Sequence, residues 1–290
     1  MLAPFADQPS TAAILEAAHV QLGTSAFDFL AHAGDEELST NRNSQILCVT
    51  RSLAATTSLG ALPPDTIVTG YSIGELSAWG VAGVWPPKVT VELAARRAEA
   101  MDRAGGDHGL LGYVRGLSQA AVQALCDDHH CFIAIRNPDR LFVVGGHERD
   151  VRALCDAAPE RGAMRAATMN VHVASHTPYL TEAVQPFEDA LRHPEHQKPR
   201  LRLMSTARSS LVTSPSRAIP DLALQIARPI DWEATLIALQ ERGVRRLLEL
   251  GPGSALSEMA AQFSADWKAR SFDDFETAAG AREWLARPAR

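Results

Sequence analysis

Cysteine is scarce in this chain. Its four residues, Cys48, Cys126, Cys131 and Cys155, form no C-x-x-C pair and no dense framework. That argues against a disulfide-stapled secreted fold and predicts a reducing, cytoplasmic setting. Long apolar runs are missing too: no window of about 18 residues is apolar and uncharged, so no membrane span is expected. The opening MLAPFADQPS lacks the basic and apolar segments of a signal peptide. Positive charge is in deficit, with 28 Lys and Arg against 34 Asp and Glu, a net charge of −6 and a pI near 5.9. Nucleic acid as a partner has no electrostatic basis. No internal repeat or low-complexity segment is present.

What remains is a chain of 290 residues, 46% apolar, enough for a sizeable core. The length suits one large domain with a smaller one inserted or appended. Residues 66–84, TIVTGYSIGELSAWGVAGV, organise the rest. The β-branched run Ile67-Val68-Thr69 leads into Gly70-Tyr71-Ser72-Ile73-Gly74, and a helix-forming stretch follows from Glu75. This is the G-x-S-x-G pattern in its strand–turn–helix context. Gly70 and Gly74, without Cβ atoms, are expected to relieve crowding in the turn. Ser72 then stands at the tip with its hydroxyl exposed, at a helix N-terminus that favours developing negative charge. The plainer alternative is a Gly-rich turn in which Ser72 only caps the helix.

Around this elbow the pattern alternates. Residues 1–64 read as helical, with Ser10 or Thr11 capping the first helix and a third helix from about Asn43 to Leu59. Leu62-Pro63-Pro64-Asp65 ends that block. Beyond Pro86-Pro87 an amphipathic helix runs from Val89 to about Arg103. Residues 109–173 then read β-α-β-β-α-β, the order of a ferredoxin-like unit, with AMRAATMNVHVA closing it as one or two strands. From Ser175 the α/β style returns, with strands LRLMSTA and RRLLEL, a helix DLALQIA interrupted at Pro229, and Asp231 starting another. The last 25 residues look peripheral. The predicted fold is α/β: an α/β-hydrolase-like parallel-sheet core, 1–106 with 174–290, and an inserted ferredoxin-like small domain, 107–173.

A serine hydroxyl needs a base. His176 follows the strand-like VHVAS and precedes Thr-Pro, at a strand end where functional side chains of α/β folds collect. His172 is its nearest rival, on the same face by alternation; a helix-capping role for His176 is the plainer reading. Arg97 lies one helix beyond the elbow, and its planar fork suits a carboxylate; a solvated arginine beside Arg96 is the alternative. Cys126-Asp-Asp-His-His-Cys131 resembles a metal cluster, but its spacing fits no standard zinc pattern. Gly251-Pro252-Gly253 before a helix suggests a phosphate cradle or simply a tight turn.

Taken together, these motifs resemble the malonyl-CoA:acyl carrier protein transacylase family. The family's Gly-His-Ser-x-Gly-Glu elbow is matched by Gly70-Tyr71-Ser72-Ile73-Gly74-Glu75, with Tyr in place of His. Its Arg-x-x-x-Met is matched by Arg97 to Met101, and its Ser-His pair by Ser175-His176. The Gln, Pro and Trp of a later motif are matched by Gln225, Pro229 and Trp232, and Glu-x-Gly-Pro-Gly by Glu249 to Gly253. Asn137-Pro138 with Val143-Val144-Gly145-Gly146 corresponds more loosely. The wording GYSIGELSAWGVAG, IAIRNPDRLFVVGG and VASHTPYL is most similar to the transacylase subunit associated with malonate decarboxylase.

The resemblance implies transfer of malonyl from malonyl-CoA to the prosthetic-group thiol of an acyl carrier protein, without a metal or redox cofactor. Malonate decarboxylase subunits are implied as further partners. Ser72 is then the nucleophile and His176 the base, oriented by the backbone carbonyl of Gln225. Arg97 pairs with the malonyl carboxylate. Ile73 supplies an oxyanion N–H, and Ser175 and Asn137 belong to the substrate site. A fatty-acid or polyketide-type transacylase, a serine thioesterase or esterase, and a non-catalytic carrier-binding module are the alternatives. One departure stands out. Family members begin with a strand and a Gly-Gln-Gly loop whose backbone completes the oxyanion hole, and Met1 to Phe5 aligns just past it. A start further upstream, an impaired chain, or another segment filling the gap would each account for that.

Overall fold

The computed structural model describes residues 1–287; residues 288–290, the end of the expected large domain, lie outside them. The described residues contain ten strands: β1 (Ile67–Val68), β2 (Gly109–Arg115), β3 (Phe132–Asn137), β4 (Leu141–His147), β5 (Arg165–Thr168), β6 (Arg202–Ser205), β7 (Ser210–Leu211), β8 (Ile230–Asp231), β9 (Arg246–Glu249) and β10 (Lys268–Ser271). Helices fill most of the remainder.

β2 to β5 form an antiparallel sheet in the order β5-β2-β4-β3, extended at the β3 edge by β8 in parallel. Helices Gln119–Asp128 and Glu148–Ala157 connect its strands. Order and direction are those of a ferredoxin-like unit. β8 was not expected in it; it reaches in from beyond Gln225. One face of this sheet buries Leu110, Val114, Val144 and Phe142 with Cys126, Cys131 and Cys155. The other, through Leu111, Ala134, Ile135 and Val143, packs on Met204, Trp232 and Leu236. The small unit therefore shares its second core with the rest of the molecule.

The parallel core is present in two short pieces instead of one continuous sheet: β1-β6-β7, in which β1 and β6 are parallel, and the parallel pair β9-β10. The largest cluster packs around them. Helices Asn41–Leu59 and Pro87–Gly105 contribute Ile46, Leu53, Val91 and Leu93, and Trp79 stacks on Trp85 with ring centroids 5.2 Å apart. Such aromatic pairs add to the stabilisation from burial.

Several local expectations give way. Thr11 does not cap the first helix with its side chain; its hydroxyl donates to the carbonyls of Phe5 and Gln8. The closing stretch is strand only over Arg165–Thr168; past it two backbone bonds still reach β2, Met169 N–H to the Leu111 carbonyl at 2.8 Å and Leu111 N–H to the Val171 carbonyl at 3.0 Å. The C-terminal stretch is not peripheral. Phe272 and Ala281 lie in the main core. Arg51, fully buried on helix Asn41–Leu59, is sandwiched between the rings of Phe5 and Phe272 and paired with Asp273.

Candidate active site

The elbow forms as the sequence requires, with one glycine doing what two were expected to do. A Cβ on Gly70 would lie 1.9 Å from the backbone of Gly74, whereas one on Gly74 would meet nothing. Only Gly70 is demanded by the turn. Ser72 sits at its apex with φ +53°, a conformation a non-glycine residue holds only when its surroundings enforce it. The carbonyls of Tyr71 and Ser72 accept from the N–H groups of Gly74 and Glu75. Helix Ile73–Val81 starts immediately after, so the N–H of Ile73, in its first turn, has no intrahelical acceptor.

His176 reaches Ser72 from the opposite wall. Its segment is pressed against the small sheet, where a Cβ on Gly109 would lie 2.6 Å from the nitrogen of Ala174. His176 itself is fully buried and has φ +64°. Its Nε2 is 2.8 Å from Ser72 Oγ. Its Nδ1 is 2.7 Å from the carbonyl oxygen of Gln225. A carbonyl only accepts, so the ring proton is on Nδ1 and Nε2 is bare, free to accept the serine hydroxyl proton. Burial first, and the nearby Arg97 charge second, push the imidazole pKa down to about 3, with the Gln225 carbonyl partly opposing. His172, the rival, is exposed and bonded to Asn170.

Arg97 is 2% exposed, not a solvated neighbour of Arg96. Its Nη1 donates to Gln45 Oε1 at 2.8 Å, while its Nη2 is buried without a partner. Burial lowers its pKa to about 10, opposed by the charge of Glu75. A guanidinium with one arm anchored and one free in a dry site is a ready receptor for an anion.

Not every expected residue joins this cluster. Among the described residues, no hydrogen bond links Asn137 or Ser175 to Ser72, His176 or Arg97. Asn137, at the end of β3, lies on the Tyr71 phenol, whose pKa burial raises to about 12 with Asn137 partly opposing. Ser175 is buried beside His176, and its N–H donates to Val173. Gly251-Pro252-Gly253 offers no open cradle: the N–H of Gly253 is taken by the Asp273 carboxylate. Cys126 and Cys131 are buried among apolar side chains.

Sequence reasoning missed Gln45, Glu75 and Thr206. Glu75 left a signal, a charge inside the most apolar stretch of the chain. It is completely buried. Gln45 and Thr206 left none.

The family model described as acyl transferase domain matches residues 11–256. The chain belongs to this acyl transferase family. It is 28% identical over 290 residues to the human mitochondrial malonyl-CoA-acyl carrier protein transacylase, covering 92% of this chain and 74% of that protein. To the malonyl CoA-acyl carrier protein transacylase of Mycobacterium tuberculosis it is 28% identical over 233 residues, covering 79% and 76%. The crystal structure of FabD from Acinetobacter baumannii superposes with a TM-score of 0.87 at 26% identity, covering 98% of this chain and 93% of that one.

Proposed function

We propose that this acyltransferase moves a malonyl group from malonyl-CoA to the prosthetic-group thiol of an acyl carrier protein through a malonyl-Ser72 intermediate. The observation that carries the reading is the free, buried Nη2 of Arg97 in the same dry site as the Ser72–His176 pair. An acyl group ending in a carboxylate satisfies that arm; an acetyl group leaves it unpaired, which costs binding.

Ser72 Oγ attacks the thioester carbonyl while its proton passes to His176 Nε2. The tetrahedral oxyanion faces the Ile73 N–H at the helix start. Collapse breaks the C–S bond, and the departing CoA sulfur takes the proton back from His176. The carrier thiol then repeats the cycle in reverse: it gives its proton to His176, attacks malonyl-Ser72 and releases Ser72 as the free hydroxyl. Gln225 acts by its backbone carbonyl, which holds the imidazole tautomer. Relatives bearing malonyl CoA-acyl carrier protein transacylase names support the donor and the acceptor.

The wording of the elbow, of IAIRNPDRLFVVGG and of VASHTPYL supports a role with malonate decarboxylase, and the scarcity of cysteine supports a reducing, cytoplasmic setting. We read residues 1–106 with 174–290 as the acyltransferase core and 107–173 as its inserted unit. Incubation with malonyl-CoA and a thiol-bearing carrier tests the proposal. Malonyl-carrier is the expected product. Free malonate with no malonyl-carrier would favour a thioesterase and overturn it.

A further inference from the structure

A buried carboxylate that the reaction above does not use stands behind the Gln225 carbonyl. Glu75 projects from the first turn of the elbow helix. Its Oε2 accepts from the Gln225 side-chain amide at 2.6 Å, from the Thr206 N–H at 3.2 Å and from the Thr206 hydroxyl. The Gln225 amide also donates to the Thr206 hydroxyl at 3.0 Å. All three residues are at most 3% exposed. Buried charge-assisted hydrogen bonds of this kind are the strong ones, and a carboxylate that loses them underground is heavily penalised.

The carbonyl of Gln225 needs such support. It begins a single 3-10 turn, Gln225–Ala227, and Pro229 soon breaks the backbone pattern. Two donors compete for it: the His176 ring at 2.7 Å and the Arg228 N–H at 3.5 Å. The turn is also tied to His176 by its backbone, the His176 N–H donating to the Ile226 carbonyl at 2.7 Å, but that bond holds the histidine main chain and not the direction of the Gln225 carbonyl. Thr206, by contrast, follows β6, which is paired with β1 of the elbow. Ser72, Glu75 and Thr206 therefore share one rigid frame, whereas His176 is carried by a segment pressed on the small sheet.

We infer that Glu75 is a positioning residue: through the Gln225 amide it aims the carbonyl at His176 Nδ1, so that nucleophile and base are registered from one frame. The inference rests on the acyl-transfer reading, and the test separates the two. Single-turnover malonylation of the intact chain is measured for wild type, Glu75→Gln and Gln225→Met, together with the melting transition of each. Glu75→Gln puts an amide where three donors converge; Gln225→Met keeps the backbone and removes the amide.

Both variants are expected to lose up to about 100-fold in the acylation rate constant, the cost of roughly 1 Å of misplacement, with little change in the half-saturating malonyl-CoA concentration. The double variant is expected to be no slower than either single one, because all three break the same link. A wild-type rate in either single variant overturns the inference, as does additivity in the double variant. Unfolding of both single variants overturns it as well, since the network would then hold the fold instead of a carbonyl. If the wild type itself accepts no malonyl group, the proposed function has failed first.

Discussion

Two of the strand–glycine–helix turns among the described residues end in opposite chemistry. At the first, β1 enters Gly70–Gly74 and helix Ile73–Val81. At the second, β9 enters Gly251–Gly253 and helix Ala255–Phe263. Each presents backbone donors at a helix N-terminus. In the second turn the chain's own carboxylates occupy them: Asp273 accepts from the Gly253 N–H at 2.9 Å and Glu249 from the Ser257 N–H at 2.8 Å. In the first, Glu75 faces inward to Thr206 and Gln225, and the Ser72 hydroxyl meets only His176 among the described residues. A glycine-rich helix start is thus a site only where the protein leaves its donors unoccupied. The anion that the second turn holds is internal; in the proposed reaction the anion at the first turn is brought by substrate.

Removing the base should have the largest effect and fall entirely on the first turn. His176→Ala is expected to slow acylation by a factor on the order of 10⁶, the scale seen when one member of a catalytic unit is deleted, while the melting temperature changes little by comparison. A loss under tenfold in stopped-flow acylation would show that another group takes the proton.

Next is Arg97→Ala. In the proposed role it removes a charge-assisted pair with the malonyl carboxylate, so malonyl transfer should fall by about 100-fold. Acetyl transfer should fall less, and the malonyl-to-acetyl ratio of kcat/KM should drop accordingly. An unchanged ratio would contradict the assignment of the free arm.

The second turn answers differently. Asp273→Asn weakens the contact on Gly253 and leaves the fully buried Arg51 without its counter-charge. Stability should fall by about 2 kcal/mol, below the scale of a wholly buried pair because Asp273 is half exposed. Denaturant melts would show this, and acylation at a permissive temperature should match wild type. A selective loss of acylation with unchanged stability would erase the contrast between the turns.

The smallest expected change is with pH. The pKa of His176 is lowered to about 3, so the free enzyme holds its base neutral through the ordinary imidazole range near 6.5. Protonation removes the base, so activity is lost only as pH falls toward that depressed value. kcat/KM for malonyl-CoA should show no acid limb above about pH 5. A step near 6.5 would place His176 in a wetter site.

How much of this was legible in the sequence follows from the range of each signal. Ser72 was legible because G-x-S-x-G dictates a local turn, and only the demand on Gly74 was overstated. The ferredoxin-like order was legible from alternation within 109–168, although β8 joins from more than 60 residues away and nothing in Ile230-Asp231 announces it. Arg97 was legible only through the resemblance, since spacing alone left a solvated arginine beside Arg96 open; its anchor, Gln45, lies 52 residues earlier. Glu75 was legible only as the last residue of the elbow motif, without a role, since its partners are 131 and 150 residues away. Short-range geometry is written in spacing, whereas buried polar pairing across the chain is decided only by the fold.

The most direct test of the contrast is intact-protein mass after brief mixing with malonyl-CoA, in wild type and Ser72→Ala. The account predicts one malonyl group added to the wild type, localised by peptide mapping to Ser72 and absent from the variant. No adduct on the wild type, or the same adduct on Ser72→Ala, would contradict it.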